Sequence, residues 1–272
     1  MSAAQNPFAY ILCGGQGTRL RSVIRETQKA VVEIHGQPFL ALLLQELFRA
    51  GVREAVLCAG YRADQLLALR EELTARSGVA LEIVVEAEPL GTGGALLHAL
   101  QRHAPPDRYL VANADTFLEA EAWRQLWMCS TSPSAAEATL LAVRVADRAR
   151  FGSVFCDADG RVLQLFEKGV SGPGLVNGGA YAFSRTAFSG LVPRPCSLEH
   201  DLHQSHCRPQ DNCRPQDPCS LEQDLLPLLI QRQSLRSVAY SGTLIDIGTP
   251  ESLAAFRKKT AQKTLCPQSH DA

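Results

Sequence analysis

The chain has 272 residues, of which 46% are apolar, and this length and composition are enough for one large α/β domain. Its 27 basic and 28 acidic residues leave a formal net charge of −1, which gives no electrostatic reason to expect nucleic-acid or membrane binding. The first residues lack the features of a signal peptide, no apolar run approaches the roughly 20 residues that cross a bilayer, and the nine cysteines are odd in number, so we expect a cytoplasmic protein with free thiols.

The first half of the chain alternates between short apolar runs and amphipathic segments. The apolar runs predict strands, and the segments between them have the spacing of helices. The predicted strands are 8–13, 30–34, 55–59, 81–85 and 109–112, and the predicted helices are 38–48, 63–73, 92–100 and 119–128. Strands separated by helices in this way predict a mainly parallel sheet with both faces covered.

The second half contains shorter strands with turn residues between them. Four of these predict a smaller antiparallel extension of the same sheet, at 139–145, 153–155, 162–166 and 175–183. Two late strands, 237–240 and 244–247, precede a helix at 250–258. We therefore expect a single domain over 7–258, followed by a flexible tail over 259–272.

One segment of the second half is internally duplicated. The sequence Cys-Ser-Leu-Glu-x-Asp-Leu occurs at 196–202 and again at 219–225, and between them Cys-Arg-Pro-Gln-Asp occurs at 207–211 and 213–217. Two nested copies are too few for a solenoid, so we interpret 196–219 as an exposed loop insertion. Only the second copy continues into an apolar segment. The insertion also offers zinc ligands, but its cysteine spacing follows from the duplication and differs from that of structural zinc sites.

A glycine-rich motif follows the first predicted strand. Residues 12–20 read Leu-Cys-Gly-Gly-Gln-Gly-Thr-Arg-Leu. Glycines let the backbone approach a phosphate chain, successive N–H groups can bind its oxygens, and Arg19 adds a positive charge. A bare glycine cluster would fit an ordinary strand-to-helix turn equally well. The spacing matches neither the P-loop nor the dinucleotide fingerprint.

This motif, followed by Lys29, resembles the sugar nucleotidyltransferase family. Further similar stretches occur in order between residues 8 and 257, at 36–40, 88–95, 113–116, 166–168, 177–179 and 245–250. Within the family, the sequence is most similar to the D-glycero-D-manno-heptose 1-phosphate guanylyltransferases. The resemblance implies a Rossmann-like α/β sandwich. It also implies an enzyme in which a sugar phosphate oxygen attacks the α-phosphorus of a nucleoside triphosphate and pyrophosphate leaves.

The resemblance also assigns charged residues to the reaction. Asp115 and Asp246 would hold a Mg²⁺ ion, which prefers carboxylate oxygens and water. Lys29 would lie near the triphosphate, and Lys168 would bind the phosphate of the sugar. Outside the family, such aspartates are often turn or cap residues and such lysines are usually solvated. Relatives usually carry a proline on one or both sides of the first lysine, whereas here Gln28 and Ala30 flank it, so we expect a less rigid loop.

The remaining site residues implied by the resemblance fall into two groups. Glu88 would recognise guanine, because one carboxylate can accept two parallel hydrogen bonds from that base. The alternative is that Glu88 is an exposed carboxylate beside a proline with no role in base recognition. The nucleotide would otherwise be bound by Leu12, Gly14, Gly15, Gly17, Thr18, Arg19, Gly91 and Thr92. The sugar phosphate would be bound by Gly152, Glu167, Lys168, Asn177 and Gly178.

These assignments predict a guanylyltransferase that uses GTP, D-glycero-D-manno-heptose 1-phosphate and Mg²⁺. A second interpretation keeps the reaction and changes the substrates, to mannose 1-phosphate with GTP or to another sugar phosphate with UTP. A third is a regulatory subunit that binds a nucleotide sugar without catalysis, although such a subunit could dispense with the charged residues that are present here. The sequence leaves open whether the chain forms a homo-oligomer.

Overall fold

A computed structural model describes residues 6–15, 17–20, 23–24, 27–132, 134–190 and 218–265. The strands are β1 (Phe8–Leu12), β2 (Glu33–Ile34), β3 (Gln37–Pro38), β4 (Glu54–Ala59), β5 (Ala80–Val85), β6 (Arg108–Asn113), β7 (Thr116–Leu118), β8 (Ala138–Val145), β9 (Ser153–Cys156), β10 (Val162–Phe166), β11 (Gly174–Ser184), β12 (Leu235–Tyr240) and β13 (Leu244–Asp246). The helices are α1 (Phe39–Arg49), α2 (Ala63–Ser77), α3 (Gly91–Arg102), α4 (Ala120–Ser130), α5 (Leu226–Gln231) and α6 (Pro250–Leu265). None of these helices is long and apolar enough to span a membrane.

The described strands form one large sheet and two small ones. In the large sheet β5, β4, β1 and β6 are neighbours and run parallel, as the alternation of strands and helices predicts. The long strand β11 then pairs antiparallel with β6, β8 and β9, and β9 pairs with β10. The predicted mainly parallel sheet with a smaller antiparallel extension is therefore confirmed.

Both faces of the large sheet are covered by helices. Along β1, Ala9 and Ile11 lie in one buried cluster with α1, α2 and α4, whereas Tyr10 and Leu12 lie in another with α3 and α5. This alternation follows from the two-residue period of a strand, and it explains why β1 is apolar along its whole length. The carboxyl ends of the parallel strands are thereby left as one edge of a rigid sheet.

A third apolar cluster joins the two ends of the chain. Phe256 of α6 packs against Phe39 of α1, and Leu20, Ile34 and Ile247 are buried in the same cluster. This packing brings β13, near the C-terminus, close to the loop that carries Lys29.

The structure corrects several predicted elements. The predicted strand at 30–34 is wrong, because Lys29–Val31 is a 3-10 helix and only Glu33–Ile34 pairs, with Gln37–Pro38. Helix α6 continues to Leu265, so the predicted tail is helical over 259–265, while 266–272 lie outside the described residues.

The duplicated segment is only partly described. Most of the predicted insertion, 196–217, lies outside the described residues. Its last residue, Cys219, is buried rather than exposed. The second copy of the duplicated sequence forms a π-helical turn over Leu221–Leu225, which leads into α5, and Leu221 and Leu225 lie in the core.

Candidate active site

Two neighbouring parallel strands end at the same edge of the sheet and supply the first parts of the site. Leu12, the last residue of β1, pairs with Asn113, the last residue of β6. The glycine loop therefore starts beside the loop that carries Asp115, and the Ala114 amide donates a hydrogen bond to the Leu12 carbonyl at 3.2 Å. Ligands of open α/β sheets bind at this edge because the chain leaves it through loops.

A short antiparallel pair brings Asp246 to the same place. Strand β13 pairs with β7, and the register sets Asp246 opposite Thr116. The Ile247 amide also donates a hydrogen bond to the Asp115 carbonyl at 2.9 Å. Two aspartates that are 131 positions apart in the sequence are thus fixed side by side.

Lys29 lies between these two carboxylates. Its Nζ atom is 2.5 Å from Oδ2 of Asp115 and 3.9 Å from Oδ1 of Asp246, and only 14% of the lysine side chain is exposed. Burial and then the charge of Asp115 raise the pKa of Asp246, while Lys29, the Gly248 amide and Lys168 act in the opposite direction. The loop after β6, the end of β13 and the loop that carries Lys29 thus bring three charged side chains together.

Two cavities in the described part of the chain meet at this charged group. The smaller one has a volume of 320 Å³, and Leu12, Gly14, Gly15, Gly91, Thr92 and Lys29 belong to its wall. The larger one has a volume of 690 Å³, and Asp246 and Lys168 belong to its wall. Asn113 and Asp115 line both cavities. A ligand in one cavity could therefore reach a ligand in the other beside Asp115.

Three of the residues assigned to the nucleotide from the sequence do not belong to the walls of these cavities. Arg19 is exposed on the 3-10 helix Thr18–Leu20, and neither Arg19 nor Gly17 lines either cavity. Gly17 instead has a φ of +58° and packs beside the Lys29 side chain. Glu88 is exposed and also lines neither cavity. The side chain of Thr18 lies outside the described residues.

Glu86 occupies the position that Glu88 was expected to take. It lines the small cavity directly after β5, and one of its carboxylate oxygens lies against Gly14 and Gly60, where a Cβ atom would collide with it. The Leu90 amide donates a hydrogen bond to its other oxygen at 3.2 Å. Burial raises the pKa of Glu86. The assignment from the sequence named Glu88, since nothing local in the sequence shows which of these two acidic residues turns inward.

The larger cavity contains most of the residues assigned to the sugar phosphate. Gly152, Glu167, Lys168 and Asn177 all line it. Gly178 does not, because it faces the backbone of Leu141, where a Cβ atom would lie 2.9 Å from the carbonyl oxygen. The next glycine, Gly179, lines the cavity instead, since β11 has an irregular register between Asn177 and Tyr181.

A hydrogen-bond network that the sequence did not predict connects the walls of the two cavities. Glu222 accepts hydrogen bonds from the Thr92 hydroxyl at 3.1 Å and from the Tyr181 hydroxyl at 3.1 Å. Tyr181 in turn accepts one from Nδ2 of Asn177 at 2.8 Å. Thr92 belongs to the small cavity, and Asn177 and Glu222 belong to the large one. The network fixes the first turn of α3 relative to the segment of β11 in which the register is irregular.

The two carboxylates suit a magnesium ion better than a metal that needs several protein ligands. In the described residues no group of three or more histidine, cysteine, aspartate or glutamate side chains could hold a metal. Mg²⁺ commonly uses one or two carboxylates and completes its shell with water and phosphate oxygens. Asp115 and Asp246 are close enough for the charge of one to raise the pKa of the other, and the donor set therefore fits this ion.

Comparison with known proteins places these features in a family. A family model described as nucleotidyl transferase matches residues 8–263. A D-glycero-alpha-D-manno-heptose 1-phosphate guanylyltransferase from Aneurinibacillus thermoaerophilus is 30% identical, with 94% of this chain and 97% of the relative covered. A mannose-1-phosphate guanylyltransferase catalytic subunit beta from Drosophila pseudoobscura pseudoobscura is 28% identical over 94% of this chain, which spans 65% of that relative. The structure of HddC from Yersinia pseudotuberculosis, complexed with GMP-PN, superposes with a TM-score of 0.74 at 28% identity, covering 93% of this chain and 99% of that chain.

Proposed function

The chain belongs to the nucleotidyl transferase family, and we propose that it transfers GMP from GTP to D-glycero-D-manno-heptose 1-phosphate, with release of pyrophosphate. The observation that carries this proposal is the pair of cavities that meet at Asp115 beside Lys29 and Asp246. A transfer between two substrates needs two adjoining sites with the reacting atoms held at their junction.

The choice of GTP rests on Glu86 and on the relatives. A carboxylate at the wall of the small cavity can accept hydrogen bonds from both N1–H and the 2-amino group of guanine, which adenine and uracil cannot reproduce. The heptose and mannose relatives are both named as guanylyltransferases, and HddC was solved with GMP-PN. Heptose is favoured over mannose because the chain spans 97% of the heptose relative and 65% of the mannose relative.

The residues of the junction have separate tasks in this reaction. The attacking oxygen belongs to the sugar phosphate, which Lys168 would hold in the large cavity by its positive charge. Lys29 would offset the negative charge that develops around the α-phosphorus, since its amine is held where the cavities meet. Asp115 and Asp246 would hold Mg²⁺, which when bound supplies positive charge to phosphate oxygens. The protein thus contributes alignment and charge rather than covalent chemistry.

A substrate panel tests this function. The purified chain is mixed with each of GTP, ATP, UTP and CTP and with heptose, mannose or glucose 1-phosphate, and pyrophosphate release is followed with Mg²⁺ present. We expect GTP with the heptose phosphate to give the highest kcat/KM. Another preferred pair would refute the substrate assignment while leaving the reaction intact. Binding of a nucleotide sugar with no release for any pair would instead support the regulatory subunit.

A matched pair of variants tests the site itself. Asp115→Asn should lower kcat at least about a hundredfold, because the charge at the junction is lost. The control, Asp107→Asn, changes an exposed aspartate that precedes β6 at the strand's other end, where it pairs with Arg185. Its activity should match that of the unaltered protein. Equal activity of the two variants would remove Asp115 from the mechanism.

A further inference from the structure

The residue before Lys29 is a buried glutamine whose polar groups are all engaged. Gln28 is 1% exposed, and its side-chain Oε1 accepts a hydrogen bond from the Ala30 amide at 2.6 Å. Its Nε2 donates to the Cys13 carbonyl at 2.5 Å. Its own amide donates to Oε1 of Gln65 at 2.8 Å. A buried polar side chain is retained at little cost only when it is bonded in this way.

These bonds connect two segments that line the small cavity, the glycine loop and the lysine loop, and they tie the lysine loop to helix α2. Cys13 lies between β1 and the glycine loop, and its amide already donates to the Cys58 carbonyl at 2.8 Å. The bond from Gln28 therefore fixes the remaining polar backbone group of Cys13. Gln65 lies in the first turn of α2, so the same residue also ties the lysine loop to that helix. The bond to Ala30 closes the turn in which Lys29 lies.

We propose that Gln28 is a positioning residue that holds the Lys29 amine at the junction of the two cavities and in register with the glycine loop. The observation behind the proposal is the bonding pattern around Gln28, and the consequence for turnover rests on the proposed function. Because both polar atoms of the side chain are bonded to backbone groups, Gln28 acts through Lys29 and Cys13. Its φ of −62° is also one that proline adopts, so backbone stiffness can be separated from hydrogen bonding by substitution.

Three variants separate these contributions. Gln28→Leu keeps the bulk and the backbone amide and removes both side-chain bonds. Gln28→Pro keeps φ and removes all three bonds, including the one to Gln65. Gln65→Leu removes the acceptor of the Gln28 amide and leaves both side-chain bonds of Gln28 in place, and it remains informative if the other two variants fail to fold.

Ser77→Ala is the matched control. Ser77 is buried at the end of α2, where its hydroxyl donates to the Leu73 carbonyl at 2.7 Å and accepts from the Val79 amide at 3.2 Å. The control therefore loses one donated and one accepted buried hydrogen bond, as Gln28→Leu does. Ser77, however, lines neither cavity.

Two measurements report on the position of Lys29. The first is turnover below the melting temperature of every variant: kcat should fall about ten- to a hundredfold in Gln28→Leu and Gln28→Pro, while KM for the sugar phosphate changes less than threefold. The second is the rate at which an amine-acylating reagent labels Lys29, read by peptide mass spectrometry. This rate should rise several-fold in both variants, since the amine is less firmly held against Asp115. Gln65→Leu should show the same two changes at smaller size.

The outcomes are decisive in each case. Ser77→Ala should lose thermal stability with unchanged kcat and unchanged Lys29 labelling. If Gln28→Leu behaves like Ser77→Ala in both measurements, Gln28 has only a structural role and the proposal is overturned. If Gln28→Pro keeps full activity, stiffness at φ suffices and the hydrogen bonds do not position the lysine. If the unaltered protein releases no pyrophosphate with any pair, the proposed function fails, and the labelling rates alone decide the role of Gln28.

Discussion

Gly91 should tolerate an added methyl group poorly, because it lies directly against the backbone of Cys219. Gly91 begins α3 with a φ of +72°, and a Cβ atom added there would lie 2.4 Å from the Cys219 carbonyl oxygen. That oxygen accepts hydrogen bonds from the Gly93 amide at 2.9 Å and the Gly94 amide at 3.2 Å, and so caps the helix. The Cys219 amide donates to the Leu90 carbonyl at 2.8 Å.

The cost of Gly91→Ala can be estimated from these contacts. The left-handed backbone conformation costs alanine about 1 kcal/mol relative to glycine. The Cys219 backbone must also move, which weakens three hydrogen bonds worth about 1 kcal/mol each. We expect the free energy of unfolding to fall by roughly 3 kcal/mol, which for a protein of this size lowers the melting temperature by about 6–12 °C.

Gly36→Ala separates the two parts of that cost. Gly36 has a φ of +80°, but no atom lies within 4 Å of its added Cβ, so only the conformational part applies. The free energy of unfolding of this control should fall by about 1 kcal/mol. Thermal and urea denaturation of both variants measure the difference. Equal losses in the two variants would show that Cys219 yields to the methyl group without cost, and the role assigned to this contact would be wrong.

Two further variants test the assignments of the cavities. Glu86→Gln should reduce the preference for GTP over ATP by about ten- to a hundredfold, because the amide cannot accept both guanine hydrogen bonds. Burial raises the pKa of Glu86, so ionisation of this carboxylate opposes folding. Glu86→Gln should therefore have a higher melting temperature than the unaltered protein at pH 7. This difference in melting temperature should disappear as the pH falls below the usual glutamate pKa of 4.5. Lys168→Met should raise KM for the sugar phosphate about tenfold or more while leaving KM for GTP within twofold, as initial rates at varied concentrations of each substrate will show.

The sequence predicts the strand ends at the sheet edge well because hydrophobic periodicity and the residues that end an apolar run are local signals. An apolar run followed by glycines identifies the end of β1, and an apolar run followed by Asn113 and Asp115 identifies the end of β6. Adjacent parallel strands bring such ends together whatever the details of the loops. The positions of Lys29 and Asp246 follow from the resemblance instead, since nothing local relates a 3-10 turn to a short strand more than 200 residues later.

Prediction from the sequence fails where a difference of one or two positions decides which residue faces a cavity. Glu86 and Glu88 differ by two positions, and it is Glu86 that packs against Gly14 and Gly60 and accepts the hydrogen bond from the Leu90 amide. Gly178 and Gly179 are adjacent, and the irregular register of β11 decides that the second faces the cavity. Glu222 is missed for another reason: its hydrogen-bond partners come from α3 and β11, which are distant in sequence.

The flanks of Lys29 show how tertiary contacts can replace a local constraint. A sequence with Gln28 and Ala30 in place of prolines predicts a looser loop, because each non-proline residue has more conformations to lose. In the folded protein, however, Gln28 has a φ of −62°, and its bonds to Cys13, Ala30 and Gln65 restrict the same segment. Those partners belong to three different segments, so the restriction exists only once the sheet and α2 have packed.

The charge balance at the junction finally bears on how a triphosphate could be accepted there. Asp115 and Asp246 outnumber the one lysine between them, so these three groups alone leave an excess of negative charge beside both cavities. The formal net charge of the whole chain is −1, so the net charge does not supply the positive charge that is missing at the junction. Lys168 adds one positive charge from the wall of the large cavity. Two anionic substrates still require more, and a divalent ion held by the same carboxylates would supply it, which is why Mg²⁺ belongs to the proposal.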